Sequence, residues 1–273
     1  MGEEIRLSKS TASLAGQKPG SVPLDRLVHF SQSVGEVIWL GFESVYWMRY
    51  AMQNVDKILR QMVVMGVSTL PIATVMSFFV GLVTALAVGE HLKRFGVEEW
   101  IGAVVGIAMT EQFGPVLTAF LVSGQVGSAI TAEIGTMSVS EEVDALRTLA
   151  ISPVRYLVMP RMIAGVVSMV ALIIYADIVG MMGGLLIATS PWCGISANAY
   201  WDLLFDEVTL RHVGFGLLKG ACFGFLIVAI SCYMGLRAKG GASGVGQATT
   251  RTVVACILSI LICNYFVTRI LVV

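Results

Sequence analysis

The sequence predicts an all-α membrane protein. An N-terminal amphipathic helix in the membrane interface precedes five transmembrane helices, and a short polar helix separates the second from the third. Three observations predict this. Of the 273 residues, 56% are hydrophobic and only 13% charged, against roughly 25% charged in a soluble domain. Mean hydropathy is +0.81. Five apolar stretches reach the ~20 residues a helix needs to cross the hydrocarbon.

Each element has its own justification. Residues 1–23 contain no apolar signal core, and Arg6 stands where a myristoylation pattern needs Ser or Thr, so a flexible cytoplasmic tail is expected. In residues 24–60, Leu27, Phe30, Val34, Ile38, Phe42 and Tyr46 recur at threes and fours, with Asp25, Arg26, Glu36, Glu43, Arg49, Lys57 and Arg60 off that stripe. A helix with an apolar stripe and a charged back lies in the membrane interface or packs on other protein. Residues 61–273 then form the five-span domain. The expected spans are Gln61 to Val88 with Pro71 inside, Trp100 to Val122, Tyr156 to Thr189, Val213 to Leu236, and Thr249 to Val273. Gly240, Gly241, Gly244 and Gly246 read as a flexible turn between the last two.

Lys and Arg set the orientation. The opening segment, the second-to-third connection and the fourth-to-fifth connection carry seven, three and three basic residues, against Lys93, Arg94, Arg211 and Arg269 on the other side. The positive-inside rule puts the N-terminus in the cytoplasm.

Between the second and third spans, Gly135 to Arg161 holds three acids and three arginines in a chain otherwise poor in charge. Ser138 and Glu141 read as a capping box opening a helix. Val139, Val143, Leu146 and Ala150 form its apolar stripe, and Ser152-Pro153 ends it, giving a helix over about 138–151. Its acids suit a protein partner better than an anionic leaflet.

Zero net charge gives no pull toward nucleic acid. The five cysteines (Cys193, Cys222, Cys232, Cys256, Cys263) form no CxxC pair, and the three histidines are scattered, so no metal site and no bound cofactor are expected. Ionisable groups inside spans are costly and mark function or packing. Glu111, Asp177 and Lys219 are such groups. A Glu111–Lys219 pair could fix helix packing or line a polar patch, and Asp177 reads as structural. Gly216, Gly220 and Gly224, four apart, suit close helix packing within the chain.

The run from Thr110 to Gly165 carries E-x-x-G-P-V-x-T-A, G-S-A-I-x-A-E-x-G-T-M, E-x-x-D-A-L and P-x-R-Y-L-x-x-P-R, and GGASGVGQATTRTVV follows later. These motifs closely resemble the signature of the MlaE/YrbE-type permeases, the membrane subunits of ABC transporters that work with MCE-domain proteins. The sequence departs from that pattern at Thr110, where many members have Arg, and at Asn264, where some have an acid.

The resemblance implies a homodimeric permease in a bacterial inner membrane, moving phospholipid to or from an MCE-protein conduit. The segment between the second and third spans becomes a coupling helix docking on a cytoplasmic ATPase through Glu141, Glu142, Asp144, Leu146 and Arg147. A lipid cavity is expected between the two copies, walled mainly by the first and second spans and lined by Phe79, Leu82, Val83, Leu86, Glu111, Leu117, Phe120 and Lys219. Glu90, His91 and Arg94 would meet the periplasmic partner or a headgroup. A small cytoplasmic accessory subunit is a further family partner. The chain has no G-x-x-x-x-G-K-[ST] phosphate loop, so ATP and Mg would sit on another polypeptide. Two other classes stay open on residues alone. An ion-coupled carrier would use Glu111, Asp177 and Lys219 as a relay, although no inverted repeat is visible. A non-transporting anchor for an ATPase would need only the docking helix.

Overall fold

A computed structural model describes residues 22–49 and 55–272. They fall in two units, divided between Trp39 and Leu40. The elements are helical throughout, and five helices are long and apolar enough to span a membrane. The protein is a multi-pass membrane protein.

Helix α1 is Val22–Trp47. Its first part belongs to the first unit, where the side chains of Leu27, Phe30 and Val34 lie outside the described set. In its last turns the apolar stripe points away from the rest of the chain. Phe42 and Tyr46 are exposed, while Gly41 and Ser44 are buried, with Gly41 backed by the Phe225 ring.

The expected first span from Gln61 to Val88 is in fact two helices, α2 (Val55–Val67) and α3 (Leu70–Phe95). The chain breaks at Ser68 and Thr69. Their hydroxyls turn back onto the carbonyls of Val64 and Met65, at 2.5 and 2.7 Å, the local bonding by which Ser and Thr compete with a helix ladder. Pro71 therefore does not kink a span. It sits in the first turn of α3, where a missing N–H removes no hydrogen bond. The Ser68 carbonyl, freed by the break, accepts from Gln125 Nε2 at 3.0 Å.

The second span runs Glu98–Val139, far beyond the expected Trp100 to Val122. It comprises α4 (Ile101–Ala108), α5 (Gly114–Val122) and α6 (Ser128–Val139), joined by π-helical turns at Met109–Phe113 and Ser123–Gly127. The polar helix α7 (Glu142–Thr148) follows. The third span opens with a π turn at Val154–Val158 and continues as α8 (Met159–Ala188). A shorter helix, α9 (Ala197–Glu207), precedes the fourth span α10 (Leu210–Leu236) and the fifth, α11 (Gly241–Val272). The glycine-rich stretch expected as a turn is thus mostly helix. Only Gly240 and Gly241 take positive φ, at 91° and 69°.

Small residues decide which spans touch. Ala73, Ser77, Gly81, Ala85 and Gly89 recur every four residues along α3 and are all buried. The middle of this row faces α8, where a Cβ on Gly81 would strike the Gly180 backbone and one on Gly183 would strike the Phe78 carbonyl. Such faces let helix backbones approach closely where lipid offers no hydrophobic drive. Gly216, Gly220 and Gly224 do the same for α10, closing on the Thr110 carbonyl, Ile173 and the Gly165 to Met169 turn. That face packs within the chain, as expected.

Toward the end opposite α7, Ala85, Ile101, Val105, Met109, Met181, Tyr200 and Leu204 form a buried cluster. The Tyr200 hydroxyl donates to the Met181 carbonyl at 2.9 Å, and burial pushes its phenol above the ordinary value, so it remains a donor.

Candidate functional site

Two features concentrate polar chemistry: a node inside the span bundle and the projecting helix α7.

The node starts from Pro115. Proline has no N–H, so the carbonyl four residues earlier, that of Glu111, loses its ordinary helical donor. The π turn at Met109–Phe113 widens the helix at that point, a distortion frequent at functional sites. The ammonium of Lys219, reaching across from α10, fills the gap by donating to the Glu111 carbonyl at 2.7 Å. Lys219 is 2% exposed. The expected Glu111–Lys219 carboxylate pair is therefore corrected. Lys219 holds the backbone of Glu111, and the carboxylate pairs with His212 instead, Oε1 to Nδ1 at 2.5 Å. No motif marks His212 in the sequence; its signal is a titratable ring at the start of the fourth span.

The node draws on four spans. Gln112 Oε1 lies 3.5 Å from Asn264 Nδ2 of the fifth. Thr110 turns its hydroxyl onto the Gly106 carbonyl at 2.9 Å. From the third span the buried Asp177 carboxyl lies against Gly114, where any Cβ would collide with it, and its Oδ1 has no hydrogen-bond partner. Nearer α7 the spans are tied again. Thr131 donates its one hydroxyl proton among the Gly127 carbonyl, the Ser231 carbonyl and Thr252 Oγ1, all within 3.1 Å.

The remaining residues expected at a lipid cavity divide between two places. Phe79, Val83 and Leu86 are exposed on the side of α3 opposite its small-residue seam, with Leu82 half-buried beside them. Leu117 and Phe120 are half-buried on α5. Within one chain α3 packs mainly on α8, the third span, and the Phe79 face is left open.

Helix α7 differs from its expected form. Ser138 is not its cap: α6 runs on through Val139, and the Ser138 hydroxyl donates to the Leu236 carbonyl at 3.2 Å. The chain reverses at Glu141 in the left-handed region (φ 62°), and α7 spans seven residues rather than 138–151. Two bonds close its C-terminus: Ile151 N–H to the Leu146 carbonyl at 2.9 Å and Ala150 N–H to the Arg147 carbonyl at 3.0 Å. This is a Schellman motif with alanine, φ 57°, in the place usually taken by glycine. Of the expected apolar stripe only Val143 is buried; Leu146 is half-buried, and Val139 and Ala150 are exposed. Glu141, Glu142, Asp144 and Arg147 are all exposed, with Asp144 and Arg147 paired at 2.9 Å. A short acidic helix is thus pinned by one valine and held out from the bundle.

Two signature residues brace its base. Arg161, 4% exposed, bonds Glu133 at 2.7 Å and the Leu157 carbonyl at 3.1 Å. The second and third spans are clamped where they lead into and out of α7. Neither residue was picked out by periodicity; an arginine just inside an apolar span was the available signal.

The family model described as Permease MlaE matches residues 58–270. The chain belongs to the MlaE permease family. A probable ABC transporter permease protein of Rickettsia typhi is 40% identical over 244 residues, covering 89% of this chain and 94% of the relative. One of Synechocystis is 39% identical over 208 residues, 76% of this chain and 79% of the relative. The intermembrane phospholipid transport system permease protein MlaE of Haemophilus influenzae is 30% identical over 247 residues, 90% and 94%. In this MlaE-family permease the signature motifs coincide with the node (Glu111, Gly114, Pro115), the brace (Glu133, Arg161) and α7.

At the opposite end, Glu90 and Arg94 pair at 2.5 Å on the exposed last turns of α3, with His91 exposed between them. Lys93 donates to the Trp192 carbonyl at 2.6 Å. The sequence reading missed α9 beside them. Its signal was Ser196, whose side chain caps the helix by accepting from Ala199 N–H at 3.2 Å.

Proposed function

We propose that this MlaE-family ABC permease moves phospholipid across or out of a bacterial inner membrane, with its N-terminus in the cytoplasm. A separate cytoplasmic ATPase supplies the work, binding ATP and Mg, and α7 is the helix on which it acts. The observation that carries the reading is α7 itself: a solvent-exposed acidic helix, pinned at Val143 and clamped at its base by Arg161 and Glu133. A push on such a helix reaches the second and third spans directly. The Haemophilus relative's role in intermembrane phospholipid transport supports the substrate.

The lipid cavity forms between two copies of the chain. The open face of α3, with Phe79, Val83 and Leu86, supplies acyl contacts, and the part-exposed Glu111–His212 pair supplies polarity. Glu90, His91 and Arg94 meet an MCE-domain periplasmic protein or the lipid headgroup, and a small accessory subunit completes the cytoplasmic side. The test is co-purification with the ATPase followed by transport in reconstituted vesicles. Glu141→Lys with Asp144→Lys is expected to abolish ATPase association. Glu111→Gln is expected to slow lipid transfer while the ATPase stays bound. Retained association in the double variant would remove α7 from the coupling role.

A further inference from the structure

Between α2 and the start of the third span lies a cavity of about 360 Å³, lined in part by Asp56, Lys57, Arg60, Tyr156 and Arg161. Three cations face one acid. The Lys57 ammonium sits 3.7 Å above the Tyr156 ring, and Arg60 is exposed. Arg161 is more than nine-tenths buried. Glu133 and the Leu157 carbonyl occupy its two terminal nitrogens, and its Nε is buried without a partner. A buried guanidinium N–H left unpaired costs free energy, and an anion is the natural acceptor.

Further along the same seam is a second hollow of about 520 Å³, lined by Leu59, Met62, Val63, Gly66 and Leu172 among others. Its one polar side chain, Ser168, lies 3.5 Å from the Met62 carbonyl. Seven residues of helix separate Arg161 from Ser168, about 10 Å of rise. A cationic pocket and an apolar hollow at that spacing fit a phosphate headgroup and the chain attached to it. A soluble anion would leave the hollow empty, and an apolar helix would leave Arg60 and Arg161 Nε unanswered.

We propose that this seam binds one anionic phospholipid from the leaflet on the α7 side, its phosphate at Lys57, Arg60 and Arg161 and an acyl chain along Gly66 and Leu172. The site lies outside the cavity proposed between two copies and stands whether or not that cavity carries substrate.

The full chain in phosphatidylcholine nanodiscs, doped with phosphatidylglycerol bearing a photoreactive acyl chain, tests it. Labelled peptides are mapped by mass spectrometry. Peptides covering 59–70 and 168–172 are expected to be labelled well above those of the exposed α11 face from Leu258 to Ile270. Photoreactive phosphatidylcholine should show no such preference. Lys57→Gln with Arg60→Gln should cut the enrichment by about twenty-five-fold, at about fivefold per cation near a membrane surface. Gly66→Leu, at a position where a Cβ meets only Ser168 Oγ at 3.9 Å, should displace label from Leu172. Equal labelling of α11 and the seam, equal enrichment with both lipids, or indifference to the two charge changes would each overturn the site. So would loss of enrichment on adding inorganic phosphate alone, which would assign the pocket to a soluble anion. The comparison of the two lipids uses the unaltered chain and does not depend on any variant folding.

Discussion

At the scale of single residues, backbone chemistry explains the polar node better than charge pairing does. Pro115 takes away a donor, the Glu111 carbonyl is left over, and Lys219 is buried to meet it. Lys219→Met should leave that carbonyl unpaired and destabilise the protein by about 1–3 kcal/mol, read as a lower melting midpoint in detergent. Lys219→Arg, which keeps a donor, should lose less; equal losses would mean the ammonium only fills space. Glycines make a sharper pair. A Cβ on Gly81 runs into the Gly180 backbone, whereas one on Gly124 meets nothing within 4 Å. Gly81→Ala is expected to cost about 1–3 kcal/mol through forced separation of α3 and α8. Gly124→Ala should be neutral or slightly stabilising, since alanine is the better helix former. Thermal scans of the two side by side decide it. Glycine spacing was legible in the sequence. Which partner each glycine met was not, because the partner lies on another span far along the chain, as Gly180 does from Gly81 and Ile173 from Gly220.

At the scale of elements, α7 shows how local rules compete. Ser138 and Glu141 have the spacing of a capping box, but Ser138 lies where the Leu236 carbonyl can take its hydroxyl, so α6 continues and the turn falls at Glu141. The helix is then closed by an alanine in a backbone region that costs an L-residue roughly 1–2 kcal/mol. Ala150→Gly should relieve part of that and tighten the turn. Val143→Ser should release α7 from the bundle, and trypsin should cut after Arg147 several-fold faster than in the unaltered chain, with Ala150→Gly slower. Unchanged cleavage in Val143→Ser would mean that other contacts hold the helix. The same competition split the first apolar stretch. Ser68 and Thr69 bond backward, so the helix restarts at Leu70 with Pro71 in its first turn. Hydropathy, averaged over twenty residues, is blind to a two-residue break.

At the scale of the whole molecule, burial is uneven. Half of the fourth span's apolar window is buried, but only 11% of the fifth's and 28% of the first's. The fifth span presents Val254, Leu258, Ile262, Phe266 and Ile270 outward, and the first presents Val75, Phe79 and Val83. These faces await lipid or a second copy. If two copies meet across a cavity lined by α3, a chain with its five cysteines replaced and Val83→Cys added should give a dimer band with a short bifunctional maleimide. The same cysteine at Val254 would report whether α11 also takes part. Monomer alone from both positions would refute the paired arrangement.

Composition and apolar run length by themselves determined that this chain is a five-span helical membrane protein, because the hydrocarbon demands about twenty apolar residues per crossing whatever the packing. The signature motifs determined its family for the same reason that they are readable: they are local runs of sequence. Only the tertiary structure decided that His212 and not Lys219 holds the Glu111 carboxylate, that Arg161 braces Glu133, that α3 seats on α8, and that a cationic pocket and an apolar hollow share one seam. Each of these joins residues from different helices, and the distance between two helices is set by how their small residues interlock, which no single segment contains.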